Sequence, residues 1–217
     1  MSDFDHFSDP ADILVVPSHR VVAAELVTVT LCGPDFVPLR TSVTRRRRRR
    51  GPAFERLLLF FGGSDVADLA SLLVPSIAAA GIFSTINMID GPFRAPERTG
   101  GSPMITHLPA REDSAEVFAE QDAAIVGAGT TVWELLYLGV PTAFVVTAEN
   151  QRGLAEIVGG AQAAIDLGSP DSAVERVAGC LELFRRPAVR VHQSKVGREL
   201  VDGLGAKRIV DEVMSVL

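Results

Sequence analysis

The chain has 217 residues, 47% apolar and 22% charged, with a formal net charge of -6. That length holds one α/β domain with a sizeable core plus some flanking structure, the composition excludes a disordered chain, and the negative balance argues against nucleic acid or an anionic membrane as partner. Residues 1–5 are acidic, the opposite of a secretory leader, the longest apolar stretch at 69–83 is broken by Ser71, Pro75, Ser76 and Gly81, and Cys32 and Cys180 form neither a metal spacing nor a disulfide framework, so the expected setting is a reducing cytoplasm with no membrane span.

Residues 1–44 carry six acids against two arginines, with short β-branched strands expected at 13–16 and 27–31. Six consecutive arginines follow at 45–50, then Gly51 and Pro52. Like charges repel and resist packing, so 45–52 reads as a solvated linker. A polyanion-binding arm is the competing reading. It is disfavoured because no aromatics interleave with the arginines and the rest of the chain is acidic.

Beyond the linker the pattern becomes regular. Strands are expected at 56–61, 84–89, 104–107, 123–126, 142–146 and 163–166, alternating with helices at 66–80, 114–120, 131–138, 151–158 and 172–183. Two further helices, split at Gly203-Leu204-Gly205, fill 189–217. Short apolar strands without polar alternation are buried on both faces, which requires a parallel sheet covered by helices. The fold class expected is therefore α/β, a doubly wound parallel sheet occupying 53–217. Ligands of such sheets sit beyond the carboxyl ends of the strands.

Three turns fall there. Phe61-Gly62-Gly63-Ser64-Asp65 joins a buried strand to a helix. Its glycines let backbone amides approach an anion at the helix N-terminus, although Ser64 or Asp65 could simply cap that helix. Gly127-Ala128-Gly129-Thr130-Thr131 offers unpaired amides from Gly129 to Thr131 and two hydroxyls, suited to a diphosphate. Thr131 with Glu134 also reads as a capping box, which explains those two residues but not the two glycines ahead of them. Thr147-Ala148-Glu149-Asn150-Gln151 brings three polar side chains to the same rim, with Asn150 also eligible as a helix cap. His107 is placed at a strand end on that rim, whereas His6, His19 and His192 lie in unpromising positions. A competing fingerprint is Gly127-x-Gly129 with Glu149 about 20 residues on, which imitates a dinucleotide site. Its third glycine is replaced by Val132, and the turn is not in the first strand–helix unit.

Four blocks together resemble a known family. They are 32–40 (Cys-Gly-Pro-Asp-Phe-Val-Pro-Leu-Arg), the turn at 61–65, the stretch 122–151, and 201–210 near the end. In order and spacing they are similar to the UDP-sugar hydrolase of the pseudaminic acid pathway and its relatives of the GT-B glycosyltransferase fold, mainly to the nucleotide-binding half. The resemblance implies two facing Rossmann-like domains, with a UDP-sugar held by the second and no cofactor or metal required. On it, Gly129, Thr130 and Thr131 meet the diphosphate and Glu134 takes the ribose hydroxyls. His107 and Leu108 flank the uracil, and Asn150 and Gln151 lie near sugar or phosphates, with Glu149 of the same turn a further substrate-binding candidate. The family's catalytic histidine sits in a Gly-x-Gly-His turn of the first domain, and no histidine here has that context. Residues 1–44 are accordingly expected to be the end of a first lobe and the interdomain connection, the rest being supplied by a partner polypeptide or a dimer mate. Three functions stay open: the UDP-sugar-binding half of a hydrolase or glycosyltransferase, a non-catalytic nucleotide-sugar-binding subunit, and an NAD(P)-binding oxidoreductase domain.

Overall fold

The computed structural model describes residues 11–19, 27–46, 54–62, 65, 68–90, 105–109 and 113–216. Of the expected features, Gly63, Ser64, His6, the arginines at 47–50, Gly51 and Pro52 lie outside the described residues.

Six strands make one parallel sheet: β3 (Arg56–Phe60), β4 (Thr85–Asp90), β5 (Ile105–Pro109), β6 (Ala123–Gly127), β7 (Thr142–Val145) and β8 (Ile165–Asp166), in the order β5-β4-β3-β6-β7-β8. The chain lays down β3, β4 and β5 in one direction, then returns to place β6 against the other edge of β3. Leu57 pairs with Ile86 on one side and with Ala123 on the other. This is a doubly wound, Rossmann-like sheet, and the reversal between β3 and β6 is its topological switch point.

Helices cover both faces. Strand alternation sends Leu57, Leu59, Ile86, Met88 and Ile125 into a core layer with α2 (Leu69–Ala80) and α6 (Pro170–Arg185). Leu58, Ile89, Val126 and Phe144 go to the opposite layer, under α3 (Ala115–Glu120), α4 (Thr130–Leu138) and α5 (Arg152–Gly160). The helix α7 (Pro187–Leu200) packs on α4 from outside. Every residue of β7 is buried, as a central parallel strand requires.

Ahead of this sheet, β1 (Ala11–Val16) and β2 (Val27–Cys32) form a separate parallel pair, Ile13 opposite Val29. A connector at 33–40 leads from β2 through a single 3-10 turn, Pro34–Phe36, into the short α1 (Thr41–Thr44). The last helix, α8 (Gly205–Val216), returns to this connector. Gly205 lies so close that a Cβ there would stand 2.2 Å from the Val37 carbonyl oxygen. One helical turn on, Arg208 Nη1 donates to the Asp35 carbonyl at 3.0 Å and to Asp202 Oδ1 at 3.0 Å.

Element ends differ from the sequence expectation in physically readable ways. The helix expected at 172–183 starts earlier, because Ser169 caps it by accepting from the Ser172 amide and Pro170 fits the first turn. The helix expected from 151 starts at Arg152, since 149–151 wind as a tighter 3-10 turn. The strand expected at 163–166 keeps only two residues, and α1 has no periodic signal at four residues.

Candidate functional site

At the switch point the β6–α4 turn lies directly beside the end of β3: a Cβ on Gly127 would stand 3.8 Å from the Phe61 Cα. Two amides of this turn face inward. Ala128 donates to the Val145 carbonyl and Gly129 to the Gly127 carbonyl, at 2.9 and 2.8 Å. The expectation of unpaired amides from Gly129 onward is corrected accordingly. Those of Thr130 and Thr131, the first two residues of α4, have no partner among the described residues. They are the orphan donors that every helix N-terminus carries, and the macrodipole gives that end a partial positive charge. Thr130 is exposed and Thr131 half-buried, so amides and hydroxyls open to the rim together.

Gly129 has a φ of -101°, accessible to any residue, and an added Cβ would meet nothing within 4 Å. The fold itself therefore does not require glycine there. Gly129→Ala is expected to cost no more than about 1 kcal/mol of stability, since neither a clash nor a left-handed φ opposes the methyl and only alanine's poorer fit at a helix N-cap does. Against a diphosphate seated on the turn, the same methyl should weaken UDP binding about tenfold. Thermal unfolding and calorimetry on one preparation read both quantities, and unchanged UDP affinity would remove this turn from the site.

Glu134 corrects the capping-box expectation. The N-cap of α4 is Gly129 with no side-chain cap bond, which leaves Thr131 inside the first turn, and the Glu134 carboxylate faces elsewhere. It forms a two-pronged pair with Arg40 of the connector: Nε donates to Oε1 at 2.7 Å and Nη2 to Oε2 at 2.9 Å. Glu134 is only 8% exposed. A carboxylate offers about four acceptor positions, so this pair occupies half of them and fixes the plane of the rest. Because Thr130, Thr131 and Glu134 are spaced three and four apart, they share one helix face. Asp113 stands 3.7 Å from Arg40. Its carboxyl is held below the usual range, first because it accepts the Ala115 amide and in smaller part because Arg40 is near. Arg40 lies within the 32–40 block but is not among the site residues expected from sequence. The available signal is the lone cation at the end of a connector whose other charged residue is Asp35.

The 61–65 turn behaves differently. Gly62 takes a left-handed φ of 84°, where glycine is at home. Asp65 caps α2, its carboxylate accepting from the Leu69 and Ala70 amides at 2.9 and 3.1 Å. An anion at this helix end would meet a resident carboxylate already holding its donors, so the two glycine-rich turns are not equivalent.

In the third turn, Gln151 Oε1 accepts from the Thr147 amide at 2.8 Å and closes the loop, while Glu149 pairs with Arg152 at 2.6 Å. Asn150 does not cap α5 and its side chain is exposed. Residue His107 is not at a strand end: β5 runs on to Pro109, and His107 pairs in register with Met88. Alternation places it on the α2–α6 face with Ile105, and Leu108 on the α4 face. The sheet therefore separates two residues that the resemblance placed together. A cavity of about 500 Å³, lined by Arg152, Glu156, Asp166, Gly168 and Ser169 among others, contains none of the expected site residues. Two carboxylates in its wall oppose a diphosphate. Among the described residues no three His, Cys, Asp or Glu side chains cluster as metal ligands, and no helix is long and apolar enough to cross a membrane.

No protein-family model matches the chain. Among known proteins it is similar to the spore coat polysaccharide biosynthesis protein SpsG of Bacillus subtilis, with 26% identity over 190 residues that cover 82% of this chain and 56% of SpsG. Among solved structures it is similar to MurG of Acinetobacter baumannii, at 17% identity and a TM-score of 0.68, covering 94% of this chain and 60% of that one. It is also similar to the glycosyltransferase SsfS6 of Streptomyces sp. SF2575 in complex with thymidine diphosphate, at 17% identity and a TM-score of 0.57, covering 95% and 53%. The chain thus spans about half the length of the relatives it matches. At these identities the likeness establishes the fold: a Rossmann-like α/β sheet of the kind found in GT-B glycosyltransferases.

Proposed function

We propose that the chain binds a nucleotide sugar, with UDP-sugars the first candidates, at the switch point, as the donor-binding half of a glycosyltransferase or of a UDP-sugar hydrolase. The observation that carries this reading is the N-terminus of α4. Two amides with no partner among the described residues and two hydroxyls there address a diphosphate, and Glu134, on the same helix face, has carboxylate positions left for ribose hydroxyls. The likeness to glycosyltransferase structures supports it. In this picture the α4 terminus stabilises the departing diphosphate by fixed donors and the helix dipole.

On the same reading β1, β2 and the connector close an opposing lobe, 45–52 link it to the sheet, and 53–217 form the donor lobe. The base that activates an acceptor would come from that opposing lobe, in a partner polypeptide or a second copy. A dinucleotide-binding oxidoreductase is the weaker alternative. Such enzymes seat the pyrophosphate at the first strand–helix turn, and here Asp65 already occupies the amides of that helix. Glu149, the residue that would read a ribose in that scheme, is paired with Arg152.

The test is calorimetry with UDP, TDP and NAD(P), with and without EDTA. UDP is expected to bind equally in both conditions. At 100 times its Kd it should raise stability by about 2.7 kcal/mol in a thermal unfolding experiment. Binding of NAD(P) but not UDP, or a strict Mg²⁺ requirement, would overturn the proposal. UDP release from a panel of UDP-sugars by the chain alone is expected to be negligible, and robust turnover would refute the need for a second lobe.

A further inference from the structure

The loop that leaves β1 is pressed onto the start of α5. A Cβ on Gly153 would lie 2.4 Å from the Ser18 carbonyl oxygen and 3.0 Å from both Cδ2 and Nε2 of His19. Glycine at this second position of α5 is what lets the loop, and the imidazole with it, sit against the helix. The ring is held at one end, with Nδ1 3.1 Å from the Ser18 hydroxyl. Its other nitrogen, Nε2, has no hydrogen-bond partner among the described residues, and the side chain is half-buried. The loop is itself anchored, because the Val16 carbonyl accepts from the amides of both His19 and Gly33, each at 3.2 Å.

The position on the sheet gives this contact its meaning. Gly127 pairs with Val145, so the turn after β7 rises one strand, roughly 5 Å, from the β6–α4 turn. The helix α5 belongs to the same core layer as α4. His19 therefore stands over the turn containing Asn150 and Gln151, on the side of the β6–α4 turn away from β3. His107 faces the opposite layer, and His192 is exposed on α7.

We propose that His19 is a specificity-determining contact for the glycosyl group of the nucleotide sugar, acting through Nε2 together with the exposed amide of Asn150. The inference rests on the nucleotide-sugar reading of the site. A nucleoside diphosphate anchored at Thr130, Thr131 and Glu134 directs its terminal substituent toward the third turn, where Nε2 and the exposed Asn150 amide can both hydrogen-bond to sugar substituents. The β1–β2 unit then contributes a side chain to the site instead of serving only as a brace.

The experiment is calorimetry of the full chain with UDP and with UDP-N-acetylglucosamine and UDP-glucose as probes, for wild type, His19→Ala and His19→Gln. The expected result is at least a tenfold loss of affinity for one or both UDP-sugars in His19→Ala, with UDP affinity within twofold of wild type. His19→Gln, whose amide can occupy the Nε2 position, should recover most of the loss. In parallel, the ¹⁵N resonance of His19 Nε2 should shift with the UDP-sugar and not with UDP. Equal losses for UDP and UDP-sugars in His19→Ala would make the residue a brace of the loop and overturn the proposal. Unchanged UDP-sugar affinity would overturn it as well. If wild type binds UDP and these outcomes still fail, His19 alone is misassigned. If wild type binds no uridine nucleotide at all, the site reading falls and this subsite with it.

Discussion

Glu134→Gln is expected to weaken UDP binding by about 1–3 kcal/mol, the usual loss when a hydrogen bond to a charged group is removed. The variant keeps the side-chain length and one acceptor oxygen for Arg40, but exchanges the second acceptor for a donor and removes the charge. Its effect on folding should be smaller than on binding. The Arg40 side chain is 43% exposed and can turn to water, so about 1 kcal/mol is the expected cost. Arg40→Gln reverses the ranking. It strands a carboxylate that is 8% exposed, and removing one member of a buried pair costs more than the pair contributes. A double-mutant cycle on the two positions, read by UDP calorimetry and by thermal unfolding, separates the two roles. Wild-type UDP affinity in Glu134→Gln would reduce the pair to a structural tie between connector and helix.

Gly205→Ala should be the more damaging change for the fold, at about 3 kcal/mol. Its methyl would lie 2.2 Å from the Val37 carbonyl oxygen and within 2.7 Å of two further Val37 backbone atoms. Backbone cannot swing aside as the end of a flexible side chain can, so α8 or the connector must move, an overpacking penalty at the upper end of its usual range. Gly179 in the middle of α6 is the control. Nothing lies within 4 Å of its added Cβ, and alanine there should stabilise by about 0.5–1 kcal/mol. Urea unfolding reads both as shifts of midpoint at constant slope. Because the connector carries Arg40, Gly205→Ala should also lower UDP affinity, which Gly179→Ala should not. A midpoint shift below that of a typical surface substitution would show that α8 is loosely attached.

Sequence pattern carried the sheet well. The apolar runs at 56–61, 84–89, 123–126 and 142–146 have one physical cause, burial on both faces, and all four are strands within a residue or two of the expected ends. What the pattern missed depends on partners distant in sequence. Glu134 looked like a cap because Thr131 stands three residues before it, and only the fold reveals that Arg40, 94 residues away, holds it instead. His19 carried no local signal either. Its neighbour in space is a glycine on α5, and a glycine chosen for a close approach looks in sequence like any other. Asp65 was legible in part: the sequence offers Ser64 or Asp65 as cap of a helix from 66, and the Asp65 carboxylate does take the Leu69 and Ala70 amides, though the helix begins at Leu69 with Asp68 in the N-cap position.

The return of the chain between β5 and β6 has a consequence for assembly as well as for binding. Asp122 at the foot of β6 accepts from the amide of Arg56 at the foot of β3, a contact that closes a loop of 66 residues. The three strands β3, β4 and β5 can zip together from near neighbours, and so can β6, β7 and β8. Joining these two halves is the costly long-range event. The crevice proposed for the nucleotide opens beside that seam, but the residues proposed to hold its diphosphate and ribose, Thr130, Thr131 and Glu134, all follow β6. A ligand seated there would act as ballast on the later half, steadying β6 and α4 without tying them to β3.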